Sequence, residues 1–209
     1  MKNNFSKNYQ DLIKIYEHLH KNGSNLENSE NTFDGKSLFY YFEPIKQLIE
    51  KTKSETLIDF GCGKAKYYFN KTIIKGVEYR NITEYWRIKD YYLYDPGVKE
   101  FSNYPSEQKD GVICIDVVEH IPPEDVFKFI EDIFKLSKKF VFIVIACYPA
   151  QKTLPDGRNV HLTLLNPNEW KVIISKLHKR YPNILPHVTC IKGGRPSSND
   201  EEKKFVESS

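Results

Sequence analysis

The chain of 209 residues has little of what staples, anchors or exports a protein. Its four cysteines, Cys62, Cys114, Cys147 and Cys190, lie far apart with no CxxC pair. That spacing argues against zinc ribbons and redox dithiols and fits a reducing, cytoplasmic setting. No apolar run approaches the ~20 residues that a membrane-spanning helix needs; the longest is Phe140–Cys147. The opening MKNNFSKNYQ has no apolar stretch of the kind a secretory signal carries. Arginine is scarce beside lysine, and the net charge is only +3. Lysine lacks the guanidinium fork that grips phosphates and guanines, so charge makes no case for a nucleic-acid partner.

What is present is ordinary globular composition, 40% hydrophobic and 28% charged. A chain of this length buries a sizeable core without metal or disulfide support. The segment 9–21 places Leu12, Ile15, Tyr16 and Leu19 on one helical stripe. After a polar loop, the pattern predicts a helix from about Ser37 to Lys51. Thr56–Phe60 reads as a short buried strand running into Gly61-Cys62-Gly63, followed by a helix from Lys64 to about Lys71. The stretch 72–90 carries no clear period. Tyr91–Tyr94 is strand-like and ends in the turn signal Asp95-Pro96-Gly97. Gly111–Val118 and Phe140–Cys147 are apolar strands, separated by a helix that opens at Pro122-Pro123-Glu124-Asp125. Asn166–Tyr181 is a capped helix, and Ile184–Ile191 is a candidate last strand.

Strands apolar on both faces, alternating with helices, indicate an α/β fold with a doubly wound, mostly parallel sheet covered on both sides. The expected organisation is a helical N-terminal segment at 1–52, the α/β core at 53–192, and a polar tail at 193–209 that reads as disordered by composition. Ligands in such sheets sit at the carboxyl ends of the strands. Attention therefore falls on Asp59–Gly63, Asp95, Asp116–His120 and the loop after Cys147.

In LIDFGCGKAK (57–66), glycines directly after a strand let the backbone turn tightly and approach a ligand. The helix that follows is expected to offer unpaired N–H groups to an anion. Lys66 stands where a dinucleotide fingerprint has its third glycine, and no P-loop spacing is present. The arrangement resembles motif I of class I S-adenosylmethionine-dependent methyltransferases, with Ala65 in place of the third glycine of GxGxG. DGVICIDVVEHIPPED (110–125) resembles the fourth-strand signature of the branch that methylates O and N atoms of small molecules. The resemblance covers about Thr56 to Ala150. It implies a Rossmann-like fold, abbreviated between the second and fourth strands, because only sixteen residues separate Asp95 from Val112.

It also implies S-adenosylmethionine as cofactor and a small-molecule substrate. Asp59 would hold the cofactor's cationic amino end, and Gly61 and Gly63 would admit its methionine and ribose portions. Asp95 would accept the ribose hydroxyls, since a carboxylate offers two acceptor oxygens to a vicinal diol; its other reading is a plain turn residue. Asp116 and Val117 would lie along the cofactor. Glu119 and His120 would face the substrate at the rim, with His120 a second candidate catalytic base, although His120 also suits a structural hydrogen bond. The sequence Asp116-Val117-Val118-Glu119 departs from the [DNS]-P-P-[YFW] of nucleic-acid amino methylases, so nucleic acid is not favoured as substrate.

LPDGRNVHLT (154–163) is rich in functional groups. His161 is a candidate general base, Asp156 a candidate to orient it, and Arg158 and Asn159 candidate substrate ligands; turn chemistry alone also accounts for Pro155-Asp156-Gly157. N-terminal segments of the resembled family fold over the cofactor, which makes Phe33, Lys36 and Tyr40 lid candidates. No metal centre is expected, although Asp116, Glu119, His120 and His161 have ligand chemistry. The competing readings are a nucleotide-cofactor oxidoreductase and a binding module without turnover.

Overall fold

The computed structural model describes residues 5–193 and 206–208. Its centre is a sheet of Thr56–Phe60 (β1), Asp90–Tyr94 (β4), Lys109–Ile115 (β5), Ser137–Ala146 (β6), Leu185–Ile191 (β7) and Val206–Ser208 (β8), in the order β4-β1-β5-β6-β7-β8. The first five are parallel, and β8 runs antiparallel to β7. A separate hairpin pairs Thr72–Ile74 (β2) with Val77–Tyr79 (β3). Helices cover both faces, as parallel strands buried on two sides require. On one face, Pro123–Leu136 (α5) and Pro167–Arg180 (α6) supply Phe129, Ile130, Ile133, Trp170 and Leu177 to the core. On the other, Phe42–Thr52 (α2) and Ile82–Trp86 (α4) supply Ile45, Ile49, Ile82 and Trp86. The fold is therefore α/β and Rossmann-like.

Local chemistry explains where the elements differ from the expected ones. The helix expected over 37–51 divides into a 3-10 turn, Lys36–Tyr41, and α2. Pro44 has no N–H to carry an α-helical ladder back through that turn. The helix expected from Lys64 shrinks to Lys66–Phe69 (α3), because Ala65 is left-handed at φ 50° and Asn70 is already extended. The strand expected to reach Val118 stops at Ile115, and Asp116 turns the chain with φ 55°. The stretch without a clear period holds the β2–β3 hairpin and α4, whose Asn81 cap accepts from Glu84 N–H. Between β4 and β5 there is only the 3-10 turn Lys99–Phe101, so β4 is the sheet edge. Of the expected tail, 194–205 and 209 lie outside the described residues, while Val206–Ser208 is strand rather than disordered.

The chain leaves β1 for β4 on one side and returns to β5 on the other. This reversal opens a crevice at the carboxyl ends of β1 and β5. Lys7–Asn22 (α1) lies over that crevice. Its cap residue Ser6 is tied to α5 by its backbone N–H, which donates to the Asp125 side chain at Oδ1, 3.0 Å. Among the described residues, no helix is long and apolar enough to cross a membrane.

Candidate functional site

The crevice is a cavity of about 870 Å³, within the range of small-molecule sites. Asp59, Asp95 and Asp116–His120 line it from the strand ends, Tyr16 and His20 from α1, Phe33 from the N-terminal segment, and Tyr148 and His161 from the loop after β6.

The glycine turn does not present bare amides. Gly61 and Cys62 N–H donate to Tyr94 O at 2.7 and 3.1 Å, Lys64 N–H to Phe33 O at 3.1 Å, and Ala65 N–H to Cys62 O at 3.0 Å. Gly63 N–H donates to Asp95 Oδ2 at 2.9 Å. Every amide from Gly61 to Ala65 is thus used within the protein, and α3 is a single short turn. The expected anion seat is corrected accordingly. Gly61 and Gly63 line the cavity, but the directions in which side chains there would point are filled by the protein itself. A Cβ on Gly61 would overlap the Val117 side chain, and one on Gly63 would overlap the Phe33 carbonyl. Both residues have positive φ, 92° and 55°, which glycine takes without penalty. Their smallness serves the closure of strand end and lid.

What this wall offers instead is carboxylate. Asp59 is buried, and its acid form persists up to about 7 because burial penalises the charge. Tyr68 works against that rise, and the charge of Asp95 adds to it. Asp95 accepts Gly63 N–H through Oδ2 and Gly97 N–H through Oδ1, each at 2.9 Å. Each oxygen retains a second lone pair. His20 Nε2 stands 3.8 Å from Asp95 Oδ1. Burial holds His20 below its usual range and toward neutrality, although Asp95 pulls the other way.

The far end of the cavity gathers Glu119, His120 and His161, with one donor atom of each within 4.8 Å of the others. Glu119 is not at a rim but wholly buried, a correction that follows from the 3-10 turn Val118–His120 folding it under β6. Its Oε1 accepts Ala146 N–H at 3.1 Å, and burial raises its acid form's range to about 8. His120 Nδ1 meets Tyr16 Oη at 2.7 Å, and burial pushes its imidazolium down to about 3, so it is neutral. His161 Nδ1 lies 2.6 Å from Tyr148 O. A carbonyl only accepts, so Nδ1 carries the proton and Nε2 has the lone pair. Burial lowers the His161 imidazolium as well.

The remaining expectations divide. Asp116 and Val117 line the cavity. Asp156 does not orient His161: it is exposed and holds Arg158, with Nε–Oδ2 at 2.9 Å. Arg158 is thereby turned toward its own loop and does not line the cavity. Asn159 is a clamp rather than a substrate ligand. Its Oδ1 accepts Ala150 N–H at 3.0 Å and His161 N–H at 2.9 Å, and its Nδ2 donates to Ala150 O at 2.8 Å. Phe33 packs against Tyr16 and His20, with centroids at 5.4 and 5.3 Å. Lys36 pairs with Glu27 at 3.1 Å, and Tyr40 is exposed.

Sequence reading missed Tyr16 and His20 as site residues: it placed Tyr16 on the apolar stripe of the first helix and gave His20 no role. Their spacing of four puts them on one helix face, and a Tyr and a His there are the signal that was available. The orienting role of the Tyr148 carbonyl has no sequence signal, since every residue has a carbonyl. Compared with known proteins, the chain matches no protein-family model, no curated protein and no solved structure.

Proposed function

We propose that the protein is an S-adenosylmethionine-dependent methyltransferase acting on an oxygen or nitrogen atom of a small molecule. The observation that carries this reading is the polarity of the wall at the switch point. Its amides from Gly61 to Ala65 are spent on protein acceptors, while the carboxyl groups of Asp59 and Asp95 line the cavity. A dinucleotide needs that turn's amides for its pyrophosphate. Two acids repelling each other in a buried place call for a cation that carries no phosphate. The amino end and sulfonium of S-adenosylmethionine meet that demand.

Asp59 takes the ammonium group, which relieves the cost of its own buried charge. Asp95 uses its remaining lone pairs for the ribose hydroxyls while it keeps Gly63 and Gly97 in place. Asp116 and Val117 border the same ligand. When bound, the cofactor supplies an electrophilic methyl group. Methyl transfer then needs in-line positioning of the acceptor and removal of its proton. The acceptor's proton leaves at the Glu119, His120 and His161 end, where neutral imidazoles and a carboxyl group converge.

Calorimetry with S-adenosylhomocysteine and with NAD tests the reading. Binding of the first at one equivalent, without binding of the second, supports it. The reverse result replaces it with the oxidoreductase. Binding of S-adenosylhomocysteine together with no methyl transfer across a panel of hydroxyl and amine acceptors would favour a binding module.

A further inference from the structure

We infer that Glu119, His120 and His161 form a binding site for one divalent transition-metal cation at the acceptor end of the cavity. The site is drawn from two elements that the sheet brings together: the 3-10 turn after β5 supplies Glu119 and His120, and the loop after β6 supplies His161. Two imidazoles and a carboxylate are the donor set that suits zinc, iron(II), cobalt and nickel, whereas magnesium and calcium favour all-oxygen surroundings.

Two observations point to a ligand rather than to chance proximity. The first is the fully buried Glu119, whose Oε2 has no hydrogen-bond partner. A buried carboxylate oxygen left alone is costly, and a cation removes that cost. The second is outer support. A ligand imidazole is held in place by a partner on its second nitrogen, and here Tyr16 Oη holds His120 Nδ1 at 2.7 Å while Tyr148 O holds His161 Nδ1 at 2.6 Å. Ala146 N–H, 3.1 Å from Oε1, fixes the carboxyl group in the same way.

Donors around one ion of bond length ~2.1 Å stand roughly 3–4 Å apart, so small side-chain rotations suffice to close the group. Three protein ligands leave positions open toward the cavity, the arrangement of a catalytic rather than a structural centre. For its catalytic meaning this site rests on the transferase reading: an acceptor hydroxyl bound there loses its proton more readily, as metal-bound water does. The site itself does not depend on that reading.

The test uses the full chain, stripped with a chelator and titrated with Co²⁺ and Zn²⁺ without cofactor. Expected are one equivalent of either ion, visible cobalt absorption, and displacement of cobalt by zinc. His161→Ala and Glu119→Gln should each weaken binding roughly 100-fold or more, while His18→Ala, on the exposed side of α1, should not change it. Two ligand variants from different elements, both checked for native circular dichroism, guard against loss by misfolding. Absence of a stoichiometric site, or binding by both ligand variants as tight as that of the parent, would overturn the inference. S-adenosylhomocysteine titrated in excess chelator reads the transferase proposal separately, so failure of one is told apart from failure of the other.

Discussion

The side chain of Val117 occupies the space that a side chain on Gly61 would need. Strand end and glycine turn are therefore fitted to each other before any ligand enters. Gly61→Ala should cost about 3 kcal/mol or more, the sum of overlap and a left-handed backbone at φ 92°. Val117→Ala in the same chain should recover the overlap part and leave ~1 kcal/mol. Thermal unfolding of the four members of this cycle checks it, and strict additivity would refute the contact.

Asp95 links turn, strand end and cavity. Asp95→Ala should lower affinity for S-adenosylhomocysteine by ~1–3 kcal/mol, and it should also lower stability because Gly63 and Gly97 N–H lose their acceptor. Asp95→Asn keeps one acceptor oxygen and should be milder in both respects. Unchanged calorimetric affinity in a folded Asp95→Ala protein would remove the ribose assignment.

Asp59 gives the protein a pH signature. Its acid form is held up to about 7 from an ordinary value of 3.8, so the folded state binds the proton more tightly than the unfolded state. The sign follows directly. The strain of the buried charge is complete above about pH 7 and disappears as pH falls toward 4, with a total of about 4 kcal/mol at ~1.4 per unit. Denaturant titrations from pH 5 to 8 should show this contribution falling as pH rises, and Asp59→Asn should abolish it. An ammonium ligand favours the ionised form, so binding near pH 6 should release protons. Calorimetry in buffers of different ionisation enthalpy measures that release.

His161→Ala should leave S-adenosylhomocysteine affinity near that of the parent and reduce turnover by ~10²–10⁴. Equal loss of cofactor binding would mean that the 147–163 loop closes on the cofactor. Asp156→Ala and Arg158→Ala, which break an exposed pair and, for Asp156, one exposed turn bond from Arg158 N–H, should leave turnover where it was and move the melting temperature little.

The sheet was legible because its strands are marked by apolar runs with turn signals at their ends. TLIDF, YYLY and FVFIVIAC needed no other information. The acids Asp59, Asp95 and Asp116 were legible as cavity-lining residues through the strand-end rule. Burial was not. Glu119 reads as a polar residue after a strand, yet a 3-10 turn puts it under β6 at 0% exposure. Asp156, Arg158 and Asn159 read as partners of His161 and of a substrate because so many polar residues in one loop look purposeful. The chain spends them on bonding the loop to itself. The contribution of α1 was hidden for the opposite reason, since Tyr16 sits on a stripe that a periodicity reading assigns to packing, and His20 follows it one helical turn on.

The clasp between α1 and the middle of the chain bears on how the site is assembled and reopened. Ser6 and Asp125 are 119 positions apart, and Tyr16 and His120 are 104 apart. A helix synthesised before the sheet thus gains its docking partners only after β5 and α5 exist, so the cavity acquires its roof late in folding. Once docked, α1 can detach without disturbing a single strand pairing, so it is expected to open before the sheet does. Its amides should therefore exchange with solvent well ahead of those in β1, β5 and β6. A ligand that touches Tyr16 or His20 would slow that exchange, so the helix reports on what occupies the cavity beneath it.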